Sequence, residues 1–143
     1  MNIRPIKEAD LQDLRELYID LCDEERSIES IQRAYKRIEN NEAYCLLGAE
    51  VNGKIVGTLM GIVCCDLAGE DQDFMTIENV IVSSEYRGRG ICKGLFHEIE
   101  AIARRRNCAY IYFVSGKQRV VAHEAYEALG YMDEGAKGFR KHL

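Results

Sequence analysis

The sequence predicts an α/β (α+β) domain built on a mixed sheet, and three observations carry that prediction. Two apolar, partly β-branched runs, Tyr44 to Val51 and Lys54 to Cys65, are joined by Asn52-Gly53. That dipeptide is a two-residue hairpin signal, because both turn positions need positive φ. Later, a strand-length run from Phe74 to Val82 feeds a glycine-bearing loop and an amphipathic helix, and a second apolar run starts at Cys108. Strand, crossover helix and strand imply parallel pairing, so hairpin and crossover together make the sheet mixed. Finally, 143 residues suit a single domain, 1–143, with a core able to stand without staples.

Each element has its own signal. Asn2 to Lys7 alternates apolar residues as a short strand does, and Leu11, Leu14, Leu17, Tyr18 and Leu21 then recur three or four apart, as on one helix face. The acidic turn Asp23-Glu24-Glu25-Arg26 interrupts this pattern. Ser27 suits the N-cap of a second helix, whose buried stripe would be Ile28, Ile31, Tyr35 and Ile38. After the hairpin, a polar loop from Asp66 to Asp73 leads to the strand ending at Val82. The crossover helix has apolar positions Ile91, Leu95, Ile99, Ile102 and Ala103, and Arg104-Arg105-Arg106 suit the negative end of its dipole. Cys108 to Val114 is continuously apolar, as in a strand covered on both faces. A last helix carries Val121, Ala122, Ala125, Tyr126 and Leu129, and Gly130 ends it. Two short strands are expected near Tyr131-Met132 and from Gly138 to Lys141, giving about seven strands and four helices in the order β-α-α-β-β-β-α-β-α-β-β.

Composition narrows the function. A net charge of −5 argues against a nucleic-acid partner, which needs a basic face, and is compatible with a cationic small molecule. The first residues lack the apolar core of a signal peptide, and no apolar run approaches the ~20 residues of a membrane helix, so a cytoplasmic protein is expected. The six cysteines have no CxxC pair and no Cys/His ligand spacing, so they read as reduced core residues and no metal is expected. Adjacent Cys64 and Cys65 point to opposite sides of a strand. His97 and His142 have no partners in the sequence.

The glycine loop carries the chemistry. Backbone N–H groups at a helix start are unpaired and partly positive, so they suit a pyrophosphate, and glycines at 88 and 90 allow close approach. Alone, Gly-x-Gly also fits a tight turn. A P-loop is excluded because no Gly-Lys-Ser/Thr follows, and a dinucleotide fingerprint because the third glycine falls one place late, at Gly94. The stretch from Ile77 to Leu95, with Arg87, Gly88 and Gly90, resembles the acetyl-CoA motif of the GNAT superfamily of N-acetyltransferases, with Cys92 at that motif's last small position. Arg119 to Tyr131, with Ala122, Tyr126, Glu127 and Gly130, resembles the second motif, with Arg119 in place of the usual Asn.

That resemblance spans essentially the whole chain and implies the GNAT fold, acetyl-CoA as cosubstrate and a primary amine as acceptor. It places the cosubstrate on Val80, Ile81, Val82, Arg87, Gly88, Arg89, Gly90, Ile91, Cys92, Lys93 and Arg119. Pantetheine would enter a gap where the strand ending at Val82 splays from the next one, with a backbone N–H near Val80 facing the thioester oxygen. Tyr126 would be the general acid for the leaving thiolate, since a phenol near pKa ~10 stays protonated beside a thiol near ~8.5. It also reads as an aromatic on the buried face of the last helix. Glu78 is the candidate base, and strand alternation puts it on the face of Val80 and Val82. It reads equally as a solvated or paired strand glutamate. His123 reads as a surface or packing residue. The segments holding Glu24, Glu25, Asp66, Glu70, Asp71 and Asp73 would flank the acceptor side, where they either attract a cation or are merely solvated.

Three functions fit. A small-molecule amine acetyltransferase is favoured, because the Arg119–Tyr126 segment and the Gly138-Phe139-Arg140-Lys141 ending resemble superfamily members acting on aminoglycosides and aminoalkylphosphonates. A lysine or N-terminal protein acetyltransferase and a non-catalytic CoA-binding module are the alternatives. A homodimer is expected by analogy only.

Overall fold

The computed structural model describes every residue except Asp23 and Ala136. Of the expected acidic turn, Asp23 therefore lies outside the described residues. The chain divides into two compact units, Met1–Tyr112 and Phe113–Leu143.

The first unit holds a five-stranded sheet in the order β1 (Asn2–Pro5), β2 (Tyr44–Val51), β3 (Lys54–Cys64), β4 (Asp73–Val82), β5 (Cys108–Tyr112). Neighbours are antiparallel except β4 and β5, which run parallel because a helix carries the chain between them. The β2–β3 turn has the expected backbone, with φ of 51° at Asn52 and 81° at Gly53. One face carries α1 (Leu11–Cys22) and α2 (Ile28–Ile38), the other α3 (Ile91–Arg105). Leu11, Leu14 and Leu17 of α1 join Ile6, Ile55 and Ile81 in one buried cluster. On the opposite face, a Cβ built on Gly61 would meet Ile99 of α3 at 2.7 Å and Met75 at 2.9 Å, so this glycine lets α3 lie close on the sheet. Leu95, Phe96 and Ile99 of that helix are fully buried, and each contributes about 1.5–3 kcal/mol of apolar transfer.

Caps set the helix ends. The Ser27 hydroxyl accepts from Ser30 N–H at 3.2 Å, which starts α2 where expected. A short 3₁₀ turn, Glu8–Asp10, precedes α1, and Asp10 there accepts from the Lys7 N–H at 2.8 Å and from Arg4 at 2.7 Å. The arginines at the end of α3 are occupied: Arg104 reaches Glu100, Arg105 reaches Glu98, and Arg106 donates to the Glu42 carbonyl at 2.9 Å.

The second unit holds α4 (Val120–Ala128), which ends before Gly130 at φ +90°. The two closing strands expected at Tyr131-Met132 and Gly138–Lys141 are not formed, so the sheet has five described strands rather than about seven. Asp133 accepts instead from the Gly135 N–H at 2.8 Å, with Gly135 at φ +76°. Such a local side-chain turn competes with a strand ladder for the backbone. Neither α2 nor β5 is covered as expected. No residue of α2 is fully buried, and β5 leaves Tyr110 and Tyr112 half exposed, with Tyr110 stacked on Phe74 at 5.4 Å. The six cysteines are free but are not core residues, since Cys22 and Cys65 are exposed and the rest half-buried.

Candidate active site

The site is built around β4. Its pairing with β5 covers only Asp73 to Thr76, whereas its pairing with β3 continues to Val82. β5 ends at Tyr112, opposite Thr76, so from Ile77 onward that edge of β4 has no strand partner among the described residues. An unpaired strand edge presents N–H and C=O groups ready for an extended ligand.

The strand is also bulged. Met60 of β3 opposes Glu78 and Thr58 opposes Ile81, so Asn79 and Val80 together face Leu59. Asn79 takes φ +56°, a left-handed conformation that asparagine tolerates better than most residues. The extra residue inverts the alternation of everything beyond it. Met75 packs towards α3, yet Ile81 packs in the α1 cluster, and Val82 stands with Ile91 around Gly57 on the α3 face. Glu78, opposite Met60, lies on the α1–α2 face and is exposed. Expected on the same face as Val82, it is on the other one, because the bulge falls between them.

Beyond Val82, a 3₁₀ turn (Ser84–Tyr86) leads into the glycine loop. Gly88 and Gly90 have φ of +73° and +77°, and no heavy atom lies within 4 Å of where a Cβ would stand on either. Gly90 caps α3, and the first bond of that helix runs from the Gly94 N–H to the Gly90 carbonyl at 2.9 Å. The N–H groups of Ile91, Cys92 and Lys93 therefore have no partner within the helix, and the backbone approach to them is open. Arg87 donates through Nε to the Val82 carbonyl at 3.1 Å, tying the loop to the strand end, and Arg89 lies over the Tyr86 ring at 5.2 Å. These donors and this open approach fit a pyrophosphate. Burial pushes the Cys92 thiol up, so it stays a small neutral residue in that turn.

On the α1–α2 face lies a groove of about 420 Å³. Tyr18, Ile31, Tyr35, Tyr44 and Met60 form its walls, and Asn79 of the bulge reaches it. Burial pushes the Tyr18 phenol up to about 12. These groove residues escaped the sequence reading, which took the α2 stripe as core. The one available signal was an asparagine inside a strand run. The loop bearing Asp66, Glu70 and Asp71 is at the Asp73 end of β4, away from Val82, while Glu25 pairs with Arg15 and Glu24 with Arg26.

In the second unit, Tyr126 is buried on α4, with the Phe113 ring edge-on at 4.8 Å. Arg119 is at the N-terminus of that helix, its N–H donating to the Gly116 carbonyl at 3.0 Å. His123 is 3.1 Å from the Ser115 hydroxyl. Among the described residues, no cluster of His, Cys, Asp and Glu is placed to hold a metal, and no helix is long and apolar enough to cross a membrane.

A mixed sheet whose β4 edge is unpaired beyond Thr76, followed by a glycine-capped helix, defines the class of α/β fold seen here. The model of the acetyltransferase (GNAT) family matches residues 11–131, and the chain belongs to that family. Its fold also matches solved structures end to end. A transcriptional regulator from Bacillus halodurans is 29% identical with a TM-score of 0.91, over 99% of both chains. A protein from Agrobacterium tumefaciens described as an acetyltransferase is 24% identical with the same TM-score, over 100% of both. A GNAT family acetyltransferase from Staphylococcus aureus is 26% identical with a TM-score of 0.82, over 99% of this chain and 98% of the other.

Proposed function

We propose that the protein transfers an acetyl group from acetyl-CoA to the primary amine of a small molecule in the cytoplasm. The observation that carries this reading is the open edge of β4, which begins at Ile77 and runs into the glycine loop. Phosphates seated on the N–H groups of residues 88–93 would leave the pantetheine arm to run along Val82, Ile81 and Val80. Arg119 would contribute from the second motif.

The amine approaches from the α1–α2 face and attacks the thioester carbon, forming C–N as C–S breaks. The Val80 N–H, beside the bulge, stabilises the oxyanion. Glu78 lies on the amine's face and takes the amine's proton through water, while the Tyr126 phenol protonates the thiolate. The bulge supports this division of labour, because it turns Glu78 towards the acceptor and Val82 towards the α3 face.

The test is CoA release from acetyl-CoA against amines of several classes, lysine peptides included, with wild type beside Tyr126→Phe. Turnover of a small amine, reduced about 100-fold or more in kcat by the substitution, is expected. Turnover of peptides alone would transfer the reading to protein acetylation. Acetyl-CoA binding with no turnover of any amine would favour a CoA-binding module.

A further inference from the structure

We propose that the groove beneath α2 seats the acceptor's arm, and that the acceptor is a primary amine joined through an apolar, ring-sized arm to a carboxylate. This rests on the acetyl-transfer reading and names its substrate class.

The first observation is a hydrophobic stripe that the core takes up only in part. Ile31, Tyr35 and Ile38 repeat with helical spacing, yet none is fully buried, and the space they face is the groove. Its volume of about 420 Å³ falls within the ~300–1,000 Å³ of small-molecule sites. Tyr35 donates its hydroxyl to the Ile6 carbonyl at 3.2 Å, so that phenol is engaged elsewhere. What it offers the groove is ring surface.

The second observation is direction. Asn79 lines one end and is the chain neighbour of Val80, where the acetyl carbon would be. Leu46, Met60 and Glu78 are successive cross-strand partners, so the groove crosses β3 from β4 to β2. Two strand spacings make that span ~10 Å. Arg37, in the last turn of α2, and Asn41, between α2 and β2, also line the groove.

The third observation is charge. Lys36 is engaged by Glu8 at 3.0 Å and Glu39 at 3.4 Å, but Arg37 has no hydrogen-bond or ion-pair partner among the described residues. A guanidinium lining an apolar channel complements a carboxylate on the acceptor's arm and repels a second ammonium there. Polyamines would therefore be poor acceptors, since their distal charge would meet Arg37 and the apolar walls.

The test compares 4-(2-aminoethyl)benzoate, phenethylamine and putrescine as acceptors for wild type, Ala34→Trp and Arg37→Ala, with thermal melting as the check on folding. In wild type, kcat/KM should be highest for the aminoethylbenzoate, by about 10-fold or more over putrescine. Arg37→Ala should erase most of its advantage over phenethylamine. Ala34→Trp, which places an indole in the groove, should lower the aryl-amine to putrescine ratio by about 10-fold. Putrescine equal or better, or ratios unmoved by either variant, would overturn the groove assignment while leaving the acetyltransferase reading standing. If no amine is turned over, calorimetric titration of the three amines decides. Aminoethylbenzoate binding that is lost in Ala34→Trp keeps the groove and removes the reaction, and no binding removes the groove.

Discussion

Gly90→Ala, compared with Gly53→Ala, separates backbone strain from ligand binding. The two glycines have φ of +77° and +81°, and neither has a heavy atom within 4 Å of where a Cβ would stand. Alanine therefore meets no clash at either site and bears only the left-handed penalty of ~1–2 kcal/mol. For a chain of this length each kcal/mol lowers Tm by about 2–4 °C, so both variants should melt about 2–8 °C below wild type. Their acetyl-CoA affinities should differ. At Gly90 the methyl stands at the open mouth of the loop, where a pyrophosphate must come within ~3 Å of backbone N–H groups. Losing one charge-assisted hydrogen bond there costs about 1.5–3 kcal/mol, or about 10- to 150-fold in Kd. Gly53 is in the β2–β3 turn, outside that loop, so its variant should bind as wild type does. Isothermal titration with acetyl-CoA and a melting curve measure both quantities. Equal affinities for the two variants would refute the phosphate cradle, and unchanged melting in both would refute the strain argument.

Other outcomes follow from the same geometry. Tyr18 has its folded-state pKa raised from 10.0 to about 12, so its contribution is present below pH ~10 and lost as pH rises to ~12, about 2–3 kcal/mol in all. Urea unfolding across that window should show a shallower decline for Tyr18→Phe than for wild type. Thr58 is fully buried and donates to the Leu47 carbonyl at 2.7 Å, so Thr58→Val should cost about 1–3 kcal/mol in a urea titration. Arg4 beside Asp10 holds that carboxylate below its ordinary range. Its contribution is present above pH ~3.9 and lost as pH falls through the depressed value, so Asp10→Asn should be less stable than wild type by about 1 kcal/mol at pH 7 and converge with it in acid. For Glu78→Gln, the acid-side rise of the pH–rate profile should flatten, and an unchanged profile would remove Glu78 as the base.

The parts legible in the sequence were those written in local chemistry. Asn52-Gly53 announced its turn, Ser27 its cap, and the spacing of Leu11, Leu14 and Leu17 the buried face of α1. The unpaired edge of β4 beyond Thr76 left no local mark and was expected only through the resemblance. The bulge at Asn79 was hidden for a specific reason. Met75, Ile77 and Ile81 are all odd-numbered and all buried, so a period of two reads unbroken across the place where the strand inverts. Similarly, Ile31, Tyr35 and Ile38 have the same spacing whether they cover a core or roof a cavity. Tyr131–Met132 carried apolar content suited to a strand, but Asp133 and Gly135 commit the following backbone to a turn.

The bulge has a consequence for how this strand can change. Its two halves are out of phase, one keyed to α3 through Met75 and Ile77, the other keyed to α1 through Ile81. Deleting Asn79 would force a choice: either Met75 and Ile77 leave the α3 layer, or Ile81 leaves the α1 layer. Asn79 thus acts as a spacer that lets one β-strand serve two helical layers of opposite parity. Substitutions there can vary the chemistry of the groove, whereas a change in length cannot be absorbed without unseating one side of the core.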